Sequence, residues 1–401
     1  MSPRPGGRPR TVAAWRRHFH RRPELSFQET GTARTIEAEL SRLGLAVRAG
    51  VGGAGRSGGT GVVGLLRGAR PGRCVALRAD MDCLPVEEQN RVPYRSAVPG
   101  RMHACGHDAH MAMLLAAAAQ LAARRDGLRG SVVFLFQPGE ETPPGGALGM
   151  IRDGALKDPA VDAAFALHVD SSLPSGSVGL RRGPMMAASD NFRIAIEGRG
   201  GHAARPHNCL DPVVCGGAIV GALQTIVSRT VDPAQPAVVT VGRFIAGTKH
   251  NIIPQTALLE GTARTIDRHS WAMMPRWIAR IARDTARAHG QTAAVDYQRG
   301  YPVLVNDPAM VDFAAGVAAG LFGGKAVRMI DQPLMGGEDF AYVLQQVPGC
   351  LIRLGTCSGP ATAFPWHHPR FDIDESALPK GARLLAELAA AFLARPSGAG
   401  K

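Results

Sequence analysis

Aromatic residues are scarce in this chain of 401 residues: 13 Phe, 4 Trp and 4 Tyr, or 5% of it. Proteins that hold single-stranded nucleic acid combine a basic track with aromatic platforms on which bases stack. The basic half of that requirement is present, since 46 Lys and Arg against 33 Asp and Glu give a formal net charge of +13. The arginines are dispersed, however, through AARRDGLRG (122–130), GLRRGP (179–184) and PRWIARIARDTARAHG (275–290), and no basic run is interleaved with aromatics. A solvated, arginine-rich surface is expected, with no nucleic-acid partner.

Long apolar runs are missing too. None reaches the length of a membrane span, and MSPRPGGRPRTVAAWRRHFHRRPEL has no apolar stretch behind its arginines, so it does not read as a signal peptide. A cysteine framework is likewise absent. The seven cysteines (Cys74, Cys83, Cys105, Cys209, Cys215, Cys350 and Cys357) are odd in number and scattered. They read as reduced thiols of a cytoplasmic protein with no membrane partner. What is present, 45% hydrophobic and 20% charged residues, describes a globular chain long enough for two domains.

GTARTIEAELSRLG (31–44) reads as an amphipathic helix closed by Gly44. LAVRAG and TGVVGLLRG read as strands around a glycine-rich loop that contains a formal GxGxxG, Gly53 to Gly58. A dinucleotide site needs a helix after those glycines, whereas a strand follows, so the loop is read as that of a hairpin. RCVALRADMD (73–82), GSVVFLFQPGEE (130–141) and DAAFALHVD (162–170) are strands, and an apolar helix (109–123) lies between the first two. Strands alternating with helices predict an α/β sheet whose site gathers at the strands' carboxyl ends. From about Pro184 the order changes to βαββαβ, that of a ferredoxin-like α+β domain. The architecture expected is therefore a catalytic α/β domain of residues 1–185 and 298–401, interrupted by an inserted domain over 186–297.

MHACGHDAHMAM (102–113) gathers metal-capable side chains at the mouth of the apolar helix. Cys105 and His107, two apart, share a face of an extended segment and would diverge by roughly 200° on a helix. HACGHD is therefore expected to be a strand end or loop, with the helix starting near Asp108. Alone, the cluster reads as readily structural as metal-binding. Three other features shift that balance. Glu140 and Glu141 follow the apolar strand SVVFLF, so that one can bind metal while the other faces water. His168 stands near the end of another apolar strand, and PWHHPRFDIDE (365–375) offers His367 and His368 before the last helix. Thiolate, imidazole and carboxylate together suit Zn, Co, Mn or Ni better than Mg or Ca.

In HRRPELSFQET, LRADMDCLPVEE, MHACGHDAHMAMLLAAA, FLFQPGEE, GRGGHAARPH, HNIIP, GTARTI, MGGEDFAYV and HHPRFDIDE the chain resembles the co-catalytic metallo-amidohydrolases related to carboxypeptidase G and aminoacylase. It is most similar to the branch of hippurate hydrolase, N-acyl-L-amino-acid amidohydrolases and indole-acetyl-amino-acid hydrolases. The resemblance implies a metallopeptidase-type catalytic domain with a mixed sheet flanked by helices, interrupted by a lid and dimerisation domain. It implies two divalent ions held by Cys105, His107, Glu141, His168 and His367, with His368 the competitor for the last place. It also implies Glu140 as general base and Asp82 as an acid that steadies the ligands. Asn251 and Arg264 would hold a substrate carboxylate, for which a guanidinium fork is well shaped. His202 would reach the partner subunit's site of a homodimer and polarise the scissile carbonyl. The substrate expected is a small N-acyl amino acid, with an aminopeptidase or dipeptidase on the same scaffold as the alternative. Cys83 after MD, Asp170 in a stretch lacking the usual aromatic residue, and Gly139 before the glutamates depart from the family's pattern. They bear on the acyl pocket, not on the ligands.

Overall fold

The apolar runs of the first third of the chain become adjacent buried strands. Arg70–Asp80 pairs in parallel with Arg129–Gln137 on one side and with Ala163–Pro174 on the other. They belong to a computed structural model that describes residues 10–53 and 58–395. Two compact units divide it, the first running to Gly183 and resuming over Val305–Asp331 and from Asp339 onward. Its eight-stranded sheet has the order 46–51, 61–67, 129–137, 70–80, 163–174, 349–357, 178–180, 327–329. The four central strands are parallel and Ala46–Val51, Gly61–Arg67 and Arg129–Gln137 pair antiparallel, so the sheet is mixed. The tip of the glycine-rich loop, 54–57, lies outside the described residues. Its flanks are the antiparallel strands Ala46–Val51 and Gly61–Arg67, with no helix behind the glycines.

Helix His107–Ala122 is apolar on nearly every face, because it is buried between the sheet and two other helices, Val12–His20 and Leu378–Ala394. Gly381 lets the last helix close on it: a Cβ there would come 2.2 Å from Met113 Sδ. The first turn of His107–Ala122 is pinned by charge. Buried Arg16 donates from Nε to Asp108 Oδ2 at 2.9 Å and from Nη2 to Asp372 Oδ1 at 2.6 Å. His20, 1% exposed, lies 2.7 Å from Asp108 Oδ2 through Nδ1 and 3.2 Å from Glu88 Oε1 through Nε2.

The second unit comprises Pro184–Leu304 and Gln332–Glu338. It takes in more chain than 186–297, because Leu334 donates its N–H to the Met185 carbonyl and accepts from Ala187 N–H. Its four strands, in the order 237–246, 256–265, 188–197, 292–301, are all antiparallel, and two helices, Pro212–Thr225 and Arg268–Ala288, join them in the order βαββαβ. This is the ferredoxin-like arrangement. The helical stretch Pro212–Thr230 is, by length and composition, apolar enough to cross a membrane, which no run in the sequence suggested. Its Cys215, Ile219, Leu223 and Ile226 instead pack into the sheet's core.

The pinning of the first turn predicts a pH dependence. Burial opposes a charge on His20, yet Asp108 and Glu88 outweigh it and raise its pKa to about 9. A pKa raised above the usual 6.5 stabilises the fold fully below pH 6.5, and the contribution is lost as pH rises through 9. The stability difference between the wild type and His20→Gln, from denaturant unfolding, should shrink steadily from pH 6 to 9.5. A difference independent of pH would show that His20 is neutral in the fold.

Candidate metal centre

At the carboxyl ends of the parallel strands the backbone leaves the sheet, and there the side chains of five segments meet. Asp80 closes strand 70–80 and Asp82 lies just beyond it, Glu140 and Glu141 follow strand 129–137, and His168 lies within strand 163–174. Cys105 and His107 come from the turn before helix His107–Ala122, and His367 from the segment before the last helix. The segment is a turn, as a strand end or loop was expected there, and the helix starts at His107, one residue before Asp108. Gly106 takes φ +89°, a left-handed conformation favoured by glycine, and His107 is already helical. A side chain at Gly106 would also meet Val169 Cγ2 at 2.3 Å.

The ligand atoms converge. Cys105 Sγ and His168 Nε2 are 3.6 Å apart, His107 Nε2 and Glu141 Oε1 3.9 Å, and His367 Nε2 and Glu141 Oε1 3.5 Å. Cys105, His107 and His168 form one group whose donor atoms all lie within 4.8 Å; Cys105, Glu141 and His367 form a second, and His107, Glu140 and Glu141 a third. His367, at φ 67°, turns toward Glu141, while His368 stacks on Phe364 at 4.6 Å and accepts from Arg370 N–H. The geometry thus brings His367, and not His368, to the cluster.

His107 and His168 each have one nitrogen tied back and one facing inward. His107 Nδ1 donates to the Asp82 carbonyl at 2.9 Å, with Asp82 Oδ1 at 3.2 Å, which leaves Nε2 bare. His168 Nδ1 donates to the Val169 carbonyl at 2.8 Å, so its Nε2 lone pair faces the thiol. His107 Nε2 and Glu141 Oε1 are buried and have no hydrogen-bond partner among the described residues. Buried polar atoms are nearly always satisfied, so two orphans facing the same space mark a place for a cation.

Electrostatics agree. Burial raises the Glu141 carboxyl to about 7, against the pull of His107. Burial also drives the Cys105 thiol well above its usual range, with Glu141 and Glu140 adding to it. Burial depresses His168 strongly, and His110 reinforces it. His107 runs the other way: burial opposes its charge, but Asp80, Asp82 and Glu141 raise it to about 10. A divalent cation inverts this logic, favouring thiolate and carboxylate and taking the imidazole lone pairs. Sulfur, nitrogen and oxygen donors together fit a transition metal or zinc.

Four residues here, Asp80, His110, Arg78 and Trp366, escaped the sequence reading. His110 Nε2 accepts from Val169 N–H at 3.0 Å, so its Nδ1 carries the proton that it donates to Asp80 Oδ1 at 2.6 Å. Arg78, 3% exposed, holds Asp80 Oδ2 at 2.7 Å, Asp339 Oδ1 at 2.9 Å and Gln137 Oε1 at 3.0 Å. Trp366 Nε1 donates to the Val169 carbonyl at 3.0 Å, and its ring packs on His168 at 4.5 Å. The spacing of His107 and His110, three apart and hence on one helical face, was the signal available for His110.

His202, Asn251 and Arg264 lie in the second unit. His202 is exposed on the two-residue strand Gly201–His202, paired with Ile252–Ile253, and Nδ1 accepts from Ala204 N–H. The Asn251 carbonyl accepts from Ala203 N–H, which brings Asn251 beside His202. Arg264 is half-buried on strand Thr256–Thr265, donates from Nε to Thr262, and is lowered from its usual pKa by burial.

Comparison with known proteins gives a consistent picture. Residues 76–391 match the model of Peptidase family M20/M25/M40. The chain is 43% identical over 379 residues to the YhaA protein of Bacillus subtilis strain 168, covering 94% of this chain and 93% of that one. It is 44% identical over 295 residues to the N-acyl-L-amino acid amidohydrolase of Geobacillus stearothermophilus, covering 74% and 78%. Among solved structures it resembles the Bacillus subtilis YXEP protein, a dinuclear metal binding peptidase from the M20 family, with a TM-score of 0.80 and 35% identity over 95% and 97% of the two chains.

The clamp on Val169 predicts a role for His110 at a distance. His110→Ala frees the Val169 peptide that orients His168 and should weaken metal affinity about 10- to 100-fold, the usual penalty for losing such a support. Competition of the variant against a chromophoric chelator measures this, and unchanged affinity would show that His168 is held without it.

Proposed function

Because the chain belongs to Peptidase family M20/M25/M40, a family of hydrolases, we propose that it cleaves the amide bond of N-acyl amino acids. The observation that carries this reading is the pair of adjacent glutamates, one within a thiol–imidazole donor set and the other beside it. Glu141 Oε1 is the orphan that faces His107 and His367, while Glu140 Oε2 lies 4.0 Å from His107 Nε2. Cys105, His107, Glu141, His168 and His367 would hold two divalent ions, Mn, Zn, Co or Ni. When bound, these ions supply Lewis acidity, which polarises a carbonyl and acidifies water near neutral pH.

The protein's own groups do the rest. Glu140 takes a proton from the attacking water and returns it to the departing amine, the two halves of general acid–base catalysis. Asp82 holds the Nδ1 side of His107 and, through Oδ2, the Glu141 N–H at 2.9 Å. The Geobacillus relative named an N-acyl-L-amino acid amidohydrolase supports the substrate class. Asn251 and Arg264 are assigned to the amino acid's carboxylate and His202 to the scissile carbonyl.

Glu140→Gln tests the base. The amide keeps shape and hydrogen bonding but accepts no proton, so turnover should fall by about two to four orders of magnitude. Metal content should stay close to that of the wild type, because Glu141 is the ligand. A variant that keeps most of its turnover, or that loses its metal, would overturn the assignment. A panel of hippurate, acetyl-amino acids and free-amine dipeptides separates an amidohydrolase from a dipeptidase.

The same reading makes the protein a homodimer whose second unit is the contact. Strand Ala237–Ala246 is an edge of its sheet, and Val214, Phe244 and Ile245 expose 59%, 40% and 42% of their surface. Unpaired edges and exposed apolar groups favour association, most simply in isologous pairs. If His202 serves the partner's site, mixing exchange-competent His202→Ala and Glu140→Gln subunits should restore up to about a quarter of wild-type activity, through the one intact site of each heterodimer. An active monomer in light scattering, or mixtures with no recovery, would place His202 in its own subunit's chemistry.

A further inference from the structure

Glu29 is a fully buried carboxylate that the mechanism above does not use. It belongs to a short segment, Glu24 to Thr30, that touches the glutamate loop three times and Asp82 once. Phe27, at φ 62°, lays its ring against Gly139, where a Cβ would stand 2.4 Å from the ring. Ser26 Oγ donates to Asp82 Oδ2 at 2.7 Å, the oxygen that also accepts from Glu141 N–H. Thr142 Oγ1 donates to Ser26 Oγ at 2.9 Å. Glu29 Oε1 accepts from Gly139 N–H at 2.9 Å, and its other oxygen accepts from the Thr60 hydroxyl. The segment is itself anchored, since the Glu24 carboxylate accepts from Gly31 N–H at 3.0 Å and Thr32 N–H at 2.8 Å, and its carbonyl from Cys83 N–H.

Gly139 precedes the Glu140–Glu141 pair directly and sits at φ +63°, a left-handed conformation that glycine adopts without the penalty a side chain would bring. Its N–H is the backbone group that Glu29 holds. Leaving one acid to bind and its neighbour to move a proton requires that the pair's backbone keep one orientation. A displacement of about 1 Å at such a pair is enough to cost about 100-fold in rate. Burial, with Asp82 adding to it, raises the Glu29 carboxyl to about 7, so the position is kept against a desolvation penalty.

We propose that Glu29 is a positioning residue: it fixes the Gly139 peptide and thereby the divergent orientations of Glu140 and Glu141, without touching a reacting atom. The inference rests on the assignment of Glu140 as base and Glu141 as ligand. Two hydrogen bonds carry the effect, so a neutral isostere should suffice. In Glu29→Gln the amide oxygen still accepts from Gly139 N–H, and the amide NH2 donates to the Thr60 hydroxyl.

The test uses the full-length, metal-saturated enzyme as wild type, Glu29→Ala, Glu29→Gln and Thr60→Val. Glu29→Ala should lower kcat about 10- to 100-fold with KM changed less than about threefold. Glu29→Gln should restore kcat to within about threefold of wild type, with Thr60→Val in between. Hydrogen–deuterium exchange read by mass spectrometry should quicken in Glu29→Ala at the peptide spanning 136–145, with and without metal, and nowhere else in the first unit. Three results would overturn the proposal: unchanged exchange at that peptide, quickening spread across the unit, or Glu29→Gln as impaired as Glu29→Ala. The exchange measurement needs no turnover, so it remains readable if Glu140→Gln shows the base to be misassigned.

Discussion

Buried negative charge is the constraint on which the catalytic unit depends. Asp80, Asp82 and Glu140 are each less than 10% exposed and share one pocket with Glu141 and the Cys105 thiol. Charges removed from water are tolerated only when paired or when a metal takes them. Arg78 answers part of the cost at Asp80, and Ser26 and the His107 imidazole answer part at Asp82. The remainder falls on Glu141 and Cys105, whose neutral forms burial favours in the bare protein. A site that disfavours its own anions without a cation, and turns the Nε2 atoms of three imidazoles toward them, is built around the cation's charge.

Precision then comes from peptides more than from side chains. The Val169 unit is held on both faces: its N–H by His110, its carbonyl by His168 and Trp366. The two peptides that flank Val169 therefore set the tautomer and the direction of a ligand. Gly139 is held the same way from Glu29. Gly139 lies just past the end of strand 129–137, and Val169, still paired with strand 349–357, lies beyond the last residue paired with strand 70–80. That is where an α/β sheet leaves backbone groups to be satisfied by side chains, and where a small rotation displaces a functional atom most.

Much of this was legible in the sequence, for identifiable reasons. Continuous apolar runs such as SVVFLF could only be buried parallel strands or helix pieces, and their polar ends marked the site. The βαββαβ alternation of the second unit showed through because its strands are half-exposed and keep a clean period of two. The loop at Cys105 was legible from its spacing to His107, but its shape was not, since that follows from the positive φ of Gly106, and a glycine alone does not say which sign it takes. His110 and Asp80 were passed over for a different reason. Their roles depend on what two strands distant in sequence but paired in the sheet, 70–80 and 163–174, present to the helix, and that is a property of the sheet order 129–137, 70–80, 163–174. The second unit's extra segment, 332–338, was invisible for the same cause: seven residues with no periodicity join a unit through hydrogen bonds to Met185 and Ala187.

The ion network at Arg16 shows the same logic one layer further out. An apolar pair at Arg16 and Asp108 would avoid the desolvation that burying two charges costs, and such replacements are often neutral or stabilising. The charged set is oriented as an apolar pair would not be. Arg16 reaches Asp108 at the start of the helix, and Asp372 and Glu375 just before the last helix, with donors fixed in one plane. Those contacts tie together the two segments that deliver His107 and His367, which arise 260 residues apart in the chain. Apolar packing would hold those segments close but leave them free to slide; a planar fork with three carboxylates fixes their register. The residues that gain from that alignment are the proposed ligands at the two ends of the site.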